Sequence, residues 1–122
     1  MNIYESSEDY LETILVLSKK LGQVRSIDIV NESGYSKPSV SIAMKKLREN
    51  ECITVDSDGF IKLTSKGMEI ASNIYDKHTY ITKFLVLLGV NEQIAKEDAC
   101  KIEHDISEES FKCIKNYYNN NK

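Results

Sequence analysis

Apolar positions along the chain recur mostly at helical spacing. Over residues 7–20, Leu11, Ile14, Leu15 and Leu17 make one broad apolar face, the pattern of a helix buried on one side. Ser6 or Ser7 suits its N-cap, Glu8 and Asp9 its first turn, Lys19 and Lys20 its last, and Gly22 its end. Residues 26–33 read as a short helix capped by Ser26, with Ile27, Ile29 and Val30 inward and Gly34 closing it. Residues 36–49 read as a second helix. Ser36 caps it, Pro38 is tolerated in its first turn, and Val40, Ala43, Met44 and Leu47 fall at i, i+3, i+4 and i+7. The pattern then changes. Residues 52–55 and 60–64 are short β-like runs flanking Asp56, Ser57, Asp58 and Gly59, and an Asp-Gly pair signals a hairpin. Helical spacing returns over 65–88, where Met68, Ala71, Ile74, Tyr75, His78, Ile81 and Leu85 form a stripe that ends at Gly89. It continues over 91–105, with Asn91 as cap and Ala95, Ala99, Ile102 and Ile106 in line. A last helix over 107–118 follows Ser107 and carries Phe111, Ile114, Tyr117 and Tyr118. The tail, 119–122, is expected to fray.

Two short helices joined by a tight turn with glycine form a helix-turn-helix signature. The outer face of the second carries Lys37, Ser39, Ser41, Lys45 and Lys46, donors suited to phosphates and base edges. An ordinary helical hairpin with a lysine-rich face has the same pattern. The hairpin that follows favours a winged helix, with Arg25, Lys62 and Lys66 adding charge nearby. Asp56 and Asp58 make the hairpin tip acidic, so it is expected to stand off the phosphate backbone.

A second chemistry is concentrated in Cys100, Glu103 and His104. On a helix, positions i, i+3 and i+4 share a face, which places these three together beside the apolar stripe. All three side-chain types bind divalent transition metals. The plainer reading is a polar helix face with a partly buried cysteine. Cys100 and His104 could also pair as thiolate and imidazole in an enzyme, although no oxyanion hole or glycine-rich substrate loop is visible. Asp9 and Glu12, three residues apart, read by themselves as a solvated acidic face. His78, alone within an apolar stripe, reads by itself as a core or interface histidine.

Composition narrows the class. The 122 residues suit one domain or two small ones, and 41% hydrophobic with 29% charged residues is a balance that can bury a core. A net charge of −3 argues against a strongly basic nucleic-acid coat but allows a local basic face. The apolar run at 84–88 is too short to span a membrane, and the N-terminus lacks the character of a signal peptide. Three cysteines without a close pair point to a reduced, cytoplasmic protein with no membrane partner.

The combination of Glu8, Asp9, Tyr10, Leu11 and Glu12, then Ser39, Val40 and Ser41, then Leu63, Thr64, Ser65, Lys66 and Gly67, with His78, Glu103 and His104, resembles the metal-dependent repressors of the diphtheria-toxin-repressor type. It is most similar to their short manganese-sensing branch, over nearly the whole chain. The resemblance implies a mostly α fold: an N-terminal winged helix-turn-helix over 1–64 with a small β-hairpin wing, followed by an α-helical metal-binding and dimerisation region over 65–122. It implies a homodimeric repressor that controls manganese or iron homeostasis and binds a palindromic double-stranded operator. The metal ligands it implies are Asp9, Glu12, His78, Cys100, Glu103 and His104. The ion would be Mn²⁺ or Fe²⁺, with Zn²⁺ or Co²⁺ accepted in vitro. For DNA it implies base contacts from Ser36, Pro38, Ser39 and Ile42, while Arg25, Lys37, Lys45 and Lys46 suit phosphates and Ser41 shares their face. Two departures stand out. The manganese branch has glutamate at Cys100, and the iron branch, which has cysteine there, has methionine at Asp9. The iron branch's second site falls here on Lys96 and Thr82, so its iron-type form is absent, and the SH3-like third domain of that branch has no counterpart in the match. A winged-helix repressor that senses oxidants through Cys100 is the alternative within the same fold.

Overall fold

Each of these patterns becomes an element in the computed structural model, which describes residues 5–122. In order they are α1 (Glu5–Leu21), α2 (Ser26–Ser33), α3 (Lys37–Glu49), β1 (Ile53–Val55), β2 (Ile61–Leu63), α4 (Ser65–Leu87), α5 (Glu92–Ile102) and α6 (Glu108–Asn121). The chain divides into two compact units between Ser72 and Asn73. That division falls inside α4, eight residues beyond the boundary drawn from sequence, because Ile70 and Ala71 pack with the N-terminal core.

The N-terminal unit is a winged helix-turn-helix. Leu11, Ile14, Leu15 and Leu17 of α1 pack with Ile29 of α2, Val40, Met44 and Leu47 of α3, and Ile53 and Ile61 of the hairpin. Each such buried side chain stabilises by about 1.5–3 kcal/mol. Gly34 ends α2 at φ 79, donating its N–H to the Val30 carbonyl at 3.0 Å. Ser36 Oγ then caps α3 by accepting from Ser39 N–H at 3.2 Å, with Pro38 in the first turn.

Several local expectations are corrected. Ser6 and Ser7 lie within α1 and do not cap it. Arg25, not Ser26, is the N-cap of α2: its backbone is extended, its carbonyl already accepts the Ile29 N–H, and its own N–H donates to the Asp28 carboxylate at 2.9 Å. Ile27 faces outward, since so short a helix fully buries only Ile29.

The wing is an antiparallel pair with Ile53 opposite Leu63, Thr54 opposite Lys62 and Val55 opposite Ile61. Asp56 Oδ1 accepts from both Asp58 N–H and Phe60 N–H at 2.9 Å, so one of the acids at the tip is engaged in its own turn. Val24 extends the pair, its carbonyl accepting Ile61 N–H at 2.7 Å. The first turn of α4 clamps onto the segment leaving α3. Thr64 N–H donates to the Cys52 carbonyl at 3.0 Å and its hydroxyl to the Glu51 carbonyl at 2.6 Å, while Gly67 N–H donates to Thr64 Oγ1 at 3.1 Å. Gly67 lies directly on the Cys52 carbonyl, well inside the distance a Cβ would need.

In the C-terminal unit, Ile81 of α4, Ala99 of α5 and Phe111 of α6 are buried together, with Tyr80, Leu85 and Ile106 packed against them. Two ion pairs tie α6 to α4: Lys77 to Glu108 at 2.8 Å and Lys115 to Asp76 at 3.1 Å. Asn91 caps α5, accepting from Gln93 and Ile94 N–H, and Ser107 caps α6, accepting from Ser110 N–H. α5 ends at Ile102 and not at 105. Ser107 must be extended (φ −72°, ψ 158°) to cap α6, so the helix stops and Glu103 to Asp105 form a turn. α6 runs on to Asn121, where the Asn121 side chain bonds the Tyr117 carbonyl, three residues past its expected end. No described helix is long and apolar enough to cross a membrane.

Candidate metal centre and nucleic-acid interface

α4 and the end of α5 bring together three groups that are 22 and 25 residues apart in sequence. His78 Nδ1 lies 2.9 Å from Glu103 Oε1 and 3.7 Å from Cys100 Sγ. One ligand atom from each of the three falls within 4.8 Å of the others. Glu103 is 1% exposed. An ionised carboxylate can only accept, so in that form Oε1 would take the proton of a His78 tautomer protonated at Nδ1. Its second oxygen, Oε2, is buried with no hydrogen-bond partner among the described residues. Leaving a buried acceptor unsatisfied costs about 1–3 kcal/mol. An imidazole nitrogen, a thiol sulfur and an under-satisfied carboxylate oxygen form a donor set that fits a divalent transition-metal ion.

The equivalence expected on one helical face is thus partly corrected. Cys100 is exposed, Glu103 is in the interior and His104 is half-buried in the turn beyond α5. His78 is no plain core histidine, since its ring is held by the buried carboxylate. Asp9 and Glu12 lie one turn apart on α1 in the N-terminal unit, both half-buried. The burial of Glu103 follows the i, i+4, i+8 series of Ala95, Ala99 and Glu103, which its charge obscured in the sequence.

The candidate DNA surface is built on α3. Ser36, Lys37, Pro38, Ser39, Ser41, Ile42, Lys45 and Lys46 are all exposed, while Val40, Met44 and Leu47 on the opposite side are buried. Arg25 stands at the base of α2 with its guanidinium 4.3 Å from the centre of the Phe60 ring, a cation–π contact that braces it against the wing. Arg48, which sequence reasoning passed over, lines a groove of about 300 Å³ with Ser26, Ser41, Lys45 and Val55. Its basic head in the last turn of α3 was the available signal. Tyr10 of α1 supports the turn before α3, its ring centre 5.3 Å from that of Tyr35. Burial, and secondarily Tyr35, hold the Tyr10 phenol above its ordinary pKa, so it remains a neutral packing group.

Two family models match the two halves of the chain. Residues 2–59 match a family model described as the iron dependent repressor N-terminal DNA binding domain. Residues 64–122 match the iron dependent repressor metal binding and dimerisation domain. The chain is 33% identical over 107 residues to the transcriptional regulator MntR of Escherichia coli O6:H1, covering 88% of this chain and 69% of that one. It is 35% identical over 113 residues to an uncharacterized HTH-type transcriptional regulator of Methanocaldococcus jannaschii, covering 91% and 90%. Among solved structures it is similar to the manganese regulator SloR, with a TM-score of 0.82 and 31% identity over 93% of this chain. The match spans about half of that longer chain, 53%.

Proposed function

Given that the chain belongs to the iron-dependent repressor family, we propose that it is a divalent-metal-dependent DNA-binding repressor of manganese or iron homeostasis. It acts as a homodimer on a palindromic operator in the cytoplasm. The observation that carries this reading is the buried Glu103 carboxylate, paired with His78 and close to the Cys100 thiol, in the same chain as a winged helix-turn-helix. The family consists of transcriptional regulators, and the chain is not an enzyme. Exposed apolar residues of the C-terminal unit, including Leu88, Ile94 and Tyr117, supply apolar surface for the dimer contact.

His78, Cys100 and Glu103 would hold the cation, and the family resemblance assigns Asp9, Glu12 and His104 as its further ligands. A bound cation would supply positive charge that offsets the negative charge of the carboxylates that ligate it. Asp9 and Glu12 belong to α1, so holding them restrains the helix on which α2 and α3 pack. Tyr10, next to Asp9, carries that restraint to Tyr35 and the start of α3. The restraint favours the arrangement in which two recognition helices meet successive major grooves, about 34 Å apart. By linkage, DNA tightens metal binding by the same factor.

Cys100 sets the metal preference. A thiolate is softer than the carboxylate of the manganese branch and moves preference toward Fe²⁺, Co²⁺ or Zn²⁺, whereas Asp9 and Glu12 favour harder ions. Wild-type protein should therefore show a sulfur charge-transfer band with Co²⁺. Cys100→Glu should lose the band and gain affinity for Mn²⁺ relative to Co²⁺. An absent band in the wild type would make Cys100 a bystander.

The direct test of function is selection from a random duplex library with Mn²⁺, with anaerobic Fe²⁺ and with EDTA. An inverted repeat should be enriched with metal and lost in EDTA. Enrichment that ignores EDTA but responds to peroxide would instead favour an oxidant sensor acting through Cys100.

A further inference from the structure

Ile42 is out of place chemically. It is 59% exposed in the middle of α3. Apart from Pro38, every other exposed side chain from Lys37 to Lys46 (Lys37, Ser39, Ser41, Lys45 and Lys46) can donate a hydrogen bond. Ile42 can neither donate nor accept. On the helix, Pro38, Ser39, Lys45 and Lys46 lie three or four residues away from it, so it occupies the centre of the polar face. It takes no part in the core, which Val40, Met44 and Leu47 join from the other side of α3. It also lines the groove that carries Ser41, Lys45 and Arg48, whose hydroxyl and cationic heads suit a phosphate strand running beside it.

In the major groove the base edges present donors, acceptors and one apolar group, the C5-methyl of thymine. A branched aliphatic side chain at the centre of this polar face is complementary to that methyl alone. We propose that Ile42 is a specificity-determining residue that packs on a thymine methyl in each operator half-site, selecting T·A over C·G at that base pair. This rests on the DNA-binding reading of α3 and adds the identity of one base.

The test begins with the duplex enriched in the presence of metal. Each thymine is replaced in turn by deoxyuridine, symmetrically in both half-sites, which removes the methyl and leaves every hydrogen-bonding group. Affinity is measured at saturating metal for wild type and Ile42→Ala. One thymine position should cost the wild type about fourfold per half-site, the worth of one buried methyl, and cost Ile42→Ala nothing. Placing 5-methylcytosine in a C·G pair at that position should recover part of the lost wild-type affinity relative to unmethylated cytosine. If no deoxyuridine weakens the wild type, or if Ile42→Ala suffers the same loss, the assignment is wrong. If metal enriches no duplex at all, the parent reading fails first and this proposal falls with it.

Discussion

Replacing Gly67 with alanine is expected to destabilise the protein by about 2–4 kcal/mol, from overpacking plus loss of a buried hydrogen bond. A Cβ at position 67 would collide with backbone, the Cys52 carbonyl, and not with the end of a side chain that could swing away. Relief requires the start of α4 to lift. That breaks the Thr64 contacts to Cys52 and Glu51 and loosens the base of the wing. For a domain stabilised by about 5–15 kcal/mol the loss is large, and urea denaturation would register it as a lower midpoint. Ser72→Ala, at an exposed position of the same helix, should stay within about 0.5 kcal/mol. Equal stability of Gly67→Ala and wild type would contradict the close approach.

Glu103→Gln is expected to separate metal binding from folding. In the wild type a carboxylate is buried with one oxygen satisfied by His78 and the other unsatisfied. The amide removes the buried charge and can still accept the His78 N–H, while its NH2 puts two unsatisfied donors where the unsatisfied oxygen was. The metal-free variant should therefore melt close to the wild-type temperature. Wild type at 100 times its metal Kd should gain about 2.7 kcal/mol, a rise in Tm on the order of 10 °C, and the variant should gain little or none. Calorimetry with and without Mn²⁺ decides it. A variant that melts far lower without metal yet keeps the metal-induced rise would make Glu103 a structural residue.

The DNA-binding half was legible because its information is local. The apolar period of α3, the cap at Ser36, the glycine after α2 and the Asp-Gly hairpin each specify structure within a few residues, and they recur in place. The candidate metal centre was legible only in part. Spacing linked Cys100 with Glu103 and His104, but His78 joins Cys100 and Glu103 across a tertiary contact that no helical period reports. Only the family resemblance singled it out. The end of α5 was misjudged because Ile106 continues the apolar spacing, while the stop is imposed by the cap that α6 requires at Ser107. The role of Gly67 was likewise hidden, since a close approach to Cys52 is a property of the packed chain.

The most direct measurement is the thermodynamic cycle linking metal and operator. Operator Kd is determined by anisotropy at zero and saturating metal, and metal Kd by titration of the free protein and of the operator complex. The expected result is an operator affinity about 5- to 150-fold tighter with metal, and a metal affinity tightened by that same factor when operator is present. Operator binding of equal strength with metal and with chelator would contradict the central claim.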